Sequence, residues 1–300
     1  VRINDNVSNA IVLTNKSQGD YRSMTLKLEM PYRKGVWGSL AWTTSNATDF
    51  MSGGSIASGS WTGARSVYGN NNLPLSNSDF NIPNRIVGLF GYKLEYGGEY
   101  GGSTSFSVGY IGSQAGAYSY TISGDMNGDR VNNNELIFIP KAGTDIKFAP
   151  LVVGTTTYTE AQQQAAFEAY IKQDKYLSAN RGQYAARNAS VVPMLHRFDV
   201  SIVQEFFVKV KGKRNTLQFR ADILNFANML NDSWGVSQRV TNPQVLAFSS
   251  VNTAGEPVYK LATQKNLDGT TTLIKDTYQK NSSVFDVWQA QIGLRYIFGR

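Results

Sequence analysis

Cysteine is absent from the 300 residues, which excludes disulfide bonds and cysteine-ligated zinc or iron–sulfur sites and permits an oxidising compartment. Long apolar runs are missing as well. No stretch reaches the ~18 residues of a membrane helix, so any membrane role must come from strands. Histidine occurs once, as His196. With one imidazole and no thiol, a hydrolase triad has at most one base, and no nucleophile is marked out beside it. A G-x-S-x-G elbow, a P-loop and H-E-x-x-H are all lacking. The expectation is a protein without enzymatic activity, with His196 a structural or loop residue at a strand's outer end. The formal charge of +7 comes from 29 Lys and Arg against 22 Asp and Glu. These are scattered, without the basic cluster interleaved with aromatics that nucleic acid requires, so no nucleic-acid partner is expected. Residues 1–4 have neither the charged start nor the apolar core of a leader. A removed leader, or a chain that begins mid-protein, is expected.

What is present is period-two alternation, together with an aromatic share of 12%. It recurs in seven segments: residues 23–32, 36–44, 85–96, 104–110, 198–210, 217–223 and 288–298. In the first, Met24, Leu26, Leu28, Met30 and Tyr32 alternate with Ser23, Thr25, Lys27 and Glu29. In the last, Trp288, Ala290, Ile292, Leu294, Tyr296 and Phe298 alternate with Gln289, Gln291, Gly293 and Arg295. Each reads as a strand with one apolar and one polar face. A soluble antiparallel sandwich also alternates, but several segments match the ~9–11 residues of a tilted membrane strand. Tyr32, Trp42, Tyr96, Trp288, Tyr296 and Phe298 also fall near segment ends on the apolar side, as an aromatic girdle does. Residues 10–15 are a weak further strand, making about eight.

Connections alternate strictly between short and long. Arg33-Lys34-Gly35, residues 97–102 and residues 211–214 are tight turns, whereas the links over roughly 49–83, 112–195 and 227–285 are far longer than a compact domain normally tolerates. Short periplasmic turns and long extracellular loops are the pattern of an outer-membrane barrel, which locates the protein in the outer membrane, in contact with its lipid. The last strand then ends on the short-turn side, with a periplasmic C-terminus. Lys27, Glu29, Arg197, Asp199, Glu205, Arg220, Asp222 and Arg295 occupy the polar face and are expected to line the lumen or touch a plug. An Arg or Lys turned to lipid near the midplane would cost ~2–4 kcal/mol.

Gln291-x-Gly293-x-x-Tyr296-x-Phe298 resembles the C-terminal assembly signal of outer-membrane barrels, departing from it in the two residues that follow. Tyr21-Arg22-Ser23-Met24-Thr25-Leu26, Gly35-Val36-Trp37 and Ala41-Trp42-Thr43-Thr44-Ser45 are similar to paired strands of Oar-like TonB-dependent transporters of Bacteroidetes type, relatives of the SusC-like transporters. Further likenesses are Asp125-Met126-Asn127-Gly128-Asp129 leading to residues 134–140, residues 176–182, Arg187-Asn188 with Pro193 and Arg197-Phe198-Asp199, and residues 222–228 as the penultimate strand. The resemblance implies a 22-stranded barrel around an N-terminal plug. Residues 1–300 would be the C-terminal portion of that barrel, with the plug and TonB box outside this chain. It also implies active uptake of a scarce small solute or oligomer, driven by the TonB complex through the plug and assisted by a surface lipoprotein. The other reading is a passive, porin-like or adhesive barrel whose loops form a surface module.

Two loop features carry possible chemistry. Asp125-x-Asn127-x-Asp129, with Glu135 to close the shell, has the alternating oxygen ligands of a calcium loop. It is one residue short of the twelve-residue form, and Arg130 stands where a glycine makes the sharp turn, so a metal-free turn is expected, with calcium as the alternative. No other cofactor is expected. Thr157-x-x-Glu160 and Thr159-x-x-Gln162 are candidate capping boxes for one short loop helix over 161–173, with Phe167, Tyr170 and Ile171 on one face.

Overall fold

The computed structural model describes residues 6, 10–54, 56–114 and 116–299; residues 1–4, weighed above as a leader, and Arg300 lie outside them. Seven long strands form one antiparallel sheet in sequence order: β1 Tyr21–Arg33, β2 Val36–Asp49, β3 Asn84–Gly97, β4 Tyr100–Ser113, β5 Leu195–Val210, β6 Lys213–Leu224 and β7 Gln289–Ile297. The two-residue strand Ser76–Asn77 adds to the end of β2. Residues 10–15 are not a strand: Ala10, Ile11, Val12 and Leu13 are apolar in succession, so alternation never develops. Among the described residues β1 pairs with β2 alone and β7 with β6 alone. The sheet is therefore an open arc with two free edges.

Turn chemistry sets the hairpins. Lys34 and Gly35 both have positive φ (50° and 87°), as do Lys211 and Gly212 (51° and 77°), the backbone that type I′ two-residue turns need to match strand twist. The third hairpin turns at Gly98-Glu99, so all three expected turns are tighter than their sequence windows. In β1 the register slips between Met30 and Arg33. Pro31, which has no N–H to give to a ladder, sits in this bulge on an edge strand. Tyr32 thus leaves the apolar series, which ends at Met30. The segment expected to be the penultimate strand through residue 228 stops at Leu224: Asn225 is left-handed (φ 52°) and helix α4, Phe226–Leu230, follows. Trp288 lies just before β7 rather than within it.

The long connections, expected to hold one helix, contain four among the described residues. These are α1 Ala57–Thr62, α2 Glu160–Gln173, α3 Lys175–Ala179 and α4. Thr159 caps α2, its hydroxyl accepting from Gln162 N while Gln162 Oε1 accepts from Thr159 N; this is the second of the two candidate boxes. The main hydrophobic core lies entirely in the connections. Tyr120, Ile122, Ile137, Ile139, Phe167, Tyr170, Ile171, Leu177, Val245, Leu246 and Ile274 are all 2% exposed or less. None belongs to the seven long strands. A small mixed sheet made of Ile122–Ser123, Leu246–Val251, Pro257–Leu261 and Lys147–Phe148 carries part of this core.

Candidate functional site

The register joins the apolar positions of all seven strands into one face. Leu26 lies opposite Trp42, Trp42 opposite Ile86, Phe90 opposite Val108, Phe106 opposite Ile202, Ile202 opposite Ala221, and Ala221 opposite Ile292. In a soluble sheet such a face would be covered. Here Leu28 is 64% exposed and Ile292 85%. Val200 is the exception, in register with the rest but buried. Toward the hairpin end, polar residues on this face satisfy one another: Thr104 Oγ1 donates to Gln204 Oε1 at 2.7 Å, and Gln204 Nε2 donates to Tyr96 Oη at 2.6 Å. Aromatic rings lie over glycines that leave them room, Tyr96 over Gly102 on this face and Trp37 over Gly91 on the other. At the opposite end, His196 Nδ1 is 2.7 Å from the Tyr110 hydroxyl.

The other face collects the expected polar set. Lys27, Glu29, Arg197, Asp199, Glu205, Arg220, Asp222 and Arg295 all share its parity. Basic and acidic residues two apart on one strand neutralise each other: Lys27 with Glu29 (2.6 Å), Arg197 with Asp199 (3.2 Å) and Arg220 with Asp222 (2.7 Å). Lys93 and Glu95 form a further pair that the sequence reading passed over. Glu205 is a hub, accepting from Ser103 Oγ and Gln218 Nε2, both at 2.9 Å. Of the assembly-signal residues, Gln291 and Gly293 lie on this polar face, and Tyr296 on the apolar one. Phe298, just past the end of β7, stacks on Tyr296 with ring centroids 6.0 Å apart.

Beyond the long-connection end of the sheet lies a second cluster that sequence reasoning missed. Asp174, 4% exposed, accepts from Tyr120 Oη (2.5 Å), Thr277 Oγ1 (3.2 Å) and Leu177 N (2.8 Å). Tyr118 bridges by its hydroxyl to Tyr278, 160 positions away. Burial pushes the phenols of Tyr118, Tyr120 and Tyr278 above their ordinary value, and that of Tyr170 up to about 12. These residues flank a cavity of about 590 Å³ whose lining includes Gln173, Asp174, Tyr176 and Tyr278. Tyr170, on the recognised helical face, and Tyr176 and Leu177, within the likeness over 176–182, carried a signal in the sequence. Two ion pairs brace this region. Arg181 grips Glu168 with both terminal nitrogens (2.9 and 3.1 Å), and the nearly buried Arg187 ties to Asp49 at the end of β2.

The metal-spacing loop is also brought together. The carboxylate oxygens of Asp125, Asp129 and Glu135 lie within 4.8 Å of one another. Arg130, at the position where glycine was missed, adopts φ 70° and makes the left-handed turn itself.

No helix among the described residues is long and apolar enough to cross a membrane. The geometry is that of a sheet that crosses by strands, with a greasy face outward and charge pairs on the other. Comparison with protein families matches residues 1–260 to the outer membrane beta barrel domain. Comparisons with curated proteins and with solved structures found no match. The chain belongs to the outer-membrane β-barrel family, and its place is the outer membrane.

Proposed function

We propose that the chain is the C-terminal arc of a larger, TonB-dependent transporter barrel, without enzymatic activity of its own. The observation that carries this reading is the pair of free edges. Across hydrocarbon every backbone N–H and C=O must be paired, at a cost of several kcal/mol for each group left open. Among the described residues β1 and β7 each leave one full side unpaired, which supports a wall closed by further strands between them. The alternating charge pairs of the polar face suit a wet lumen or the surface of a plug, and the residues named above would serve as its lining. On this reading the long connections are extracellular, and the C-terminus is periplasmic, which the run of β7 from them toward the hairpin end supports. The 590 Å³ cavity beside Asp174 falls in the size range of small-molecule sites and is a chamber for the incoming solute. A surface lipoprotein would dock on the same extracellular side.

The test is uptake by the full-length protein in cells. Transport should collapse when the inner-membrane energy source is dissipated, because a plugged lumen offers no open path. Uptake that continues after uncoupling would replace this reading with the passive, porin-like barrel.

A further inference from the structure

We infer that the loop over residues 124–135 is a calcium site, held by oxygens of Asp125, Asn127, Asp129 and Glu135; this goes beyond the transport reading and does not depend on it. The deciding group is Glu135. It is 5% exposed, and its Oε1 accepts only long hydrogen bonds from Met126 N (3.2 Å) and Asn127 N (3.4 Å). Its Oε2 is buried and has no hydrogen-bond partner. A carboxylate oxygen shut away from water without a donor is costly. One carboxylate oxygen of Glu135 also lies within 4.8 Å of oxygens from two further carboxylates. Among the described residues none of the three makes an ion pair. Three converging anionic groups, one of them dry, call for a compensating cation, and all-oxygen donors select a hard one.

The two departures that argued against metal in the sequence are absorbed by the backbone. Arg130 takes the left-handed conformation, its N–H donating to Asp125 Oδ2 at 2.8 Å, while Gly128 N donates to Asp125 Oδ1 at 2.7 Å. The missing residue is taken up by a clasp at the base of the loop: Asn133 N donates to Gly124 O, and Ile122 N donates to Glu135 O. That clasp carries Glu135 inward, next to the buried Leu136 and Ile137 of the loop core. Ser66 N also donates to Asn134 O, so a bound ion would fasten the first two long connections together. Calcium, with its flexible shell of 6–8 oxygens, tolerates a shortened loop better than magnesium does.

Full-length protein, purified in detergent and stripped with a chelator, is titrated by calorimetry with CaCl2 and separately with MgCl2. Saturable calcium binding is expected with Kd of roughly 10⁻⁵–10⁻³ M, the range from sensor loops to extracellular modules, and with magnesium at least about tenfold weaker. Glu135→Gln should weaken calcium by roughly tenfold or more, as loss of a ligand charge does. Because Glu135 is buried and its replacement can disturb the loop, the exposed Asp129→Asn is the second variant. It should lower affinity likewise while amide exchange in residues 136–148 stays at the wild-type rate. Calcium should slow exchange across 124–135 in the wild type only. Absence of saturable binding up to ~10 mM, equal affinity for magnesium, or unchanged binding by Asp129→Asn would each overturn the site.

Discussion

Leu40 and Leu89 offer a direct test of the two faces, because they are the same residue on neighbouring strands with nearly equal exposure, 48% and 44%. They differ by one step of pleat: Leu40 lies opposite Gly88, and Leu89 opposite Ser39. Leu40 stands four residues from Val36, the hairpin end of β2. At ~3.4 Å per residue and a tilt of about 40°, that is about 10 Å of height, close to the middle of an apolar band ~25 Å tall. An arginine there meets hydrocarbon and should cost about 2–4 kcal/mol, a drop of roughly 30- to 700-fold in the folding equilibrium. At Leu89 the same arginine enters the row that holds Glu29, Ser39, Gly109 and Asp199. It gains carboxylates and water, and the change should stay within ~0.5 kcal/mol. The assay is urea unfolding of the full-length protein in lipid vesicles, with folded fraction read from heat-modifiable gel mobility. Equal losses in Leu40→Arg and Leu89→Arg, or a larger loss in the second, would refute the assignment of faces.

Absorbance titration of the tyrosinates should leave a group un-ionised at pH 11, because burial raises Tyr118, Tyr120 and Tyr278 and puts Tyr170 at about 12; a single transition near 10 would contradict the buried cluster. The hydrogen bond from Arg181 holds the Glu168 carboxyl below its ordinary value. Its contribution is therefore present above the unfolded pKa of ~4.3 and lost as pH falls through the lower folded value, so the protection of the Gly143 amide, whose N–H donates to Glu168 Oε2, measured against the intrinsic exchange rate at each pH, should fall in acid in the wild type and be lost already at pH 7 in Glu168→Ala. Gly91→Val drives a branched side chain into the Trp37 ring and should destabilise the sheet by about 1–3 kcal/mol, read as a lowered urea midpoint. Replacing Tyr296 and Phe298 together by Ser removes the stacked pair at the end of β7 and should abolish membrane insertion while synthesis continues; normal surface levels would reject their role in assembly.

The faces of the sheet were legible in the sequence because strand periodicity is local: each residue's side follows from its neighbour's, and antiparallel pairing only had to keep the parity. Lys34-Gly35 and Lys211-Gly212 marked hairpins for the same reason, as did Thr159 and Gln162 at the start of α2. The bulge at Pro31, which removed Tyr32 from its series, depends on a slip against β2 that no count along one strand reveals. The Asp174 cluster joins Tyr120 and Thr277, 54 and 103 positions away, and the loop core joins residues from the second and third long connections. Such partners carry no shared period, so only the folded chain brings them together. Glu135 belongs to both classes. Its type and rough spacing stood in the sequence, but its burial, with one oxygen left without a donor, came from the clasp that closes the loop and the core packed behind it.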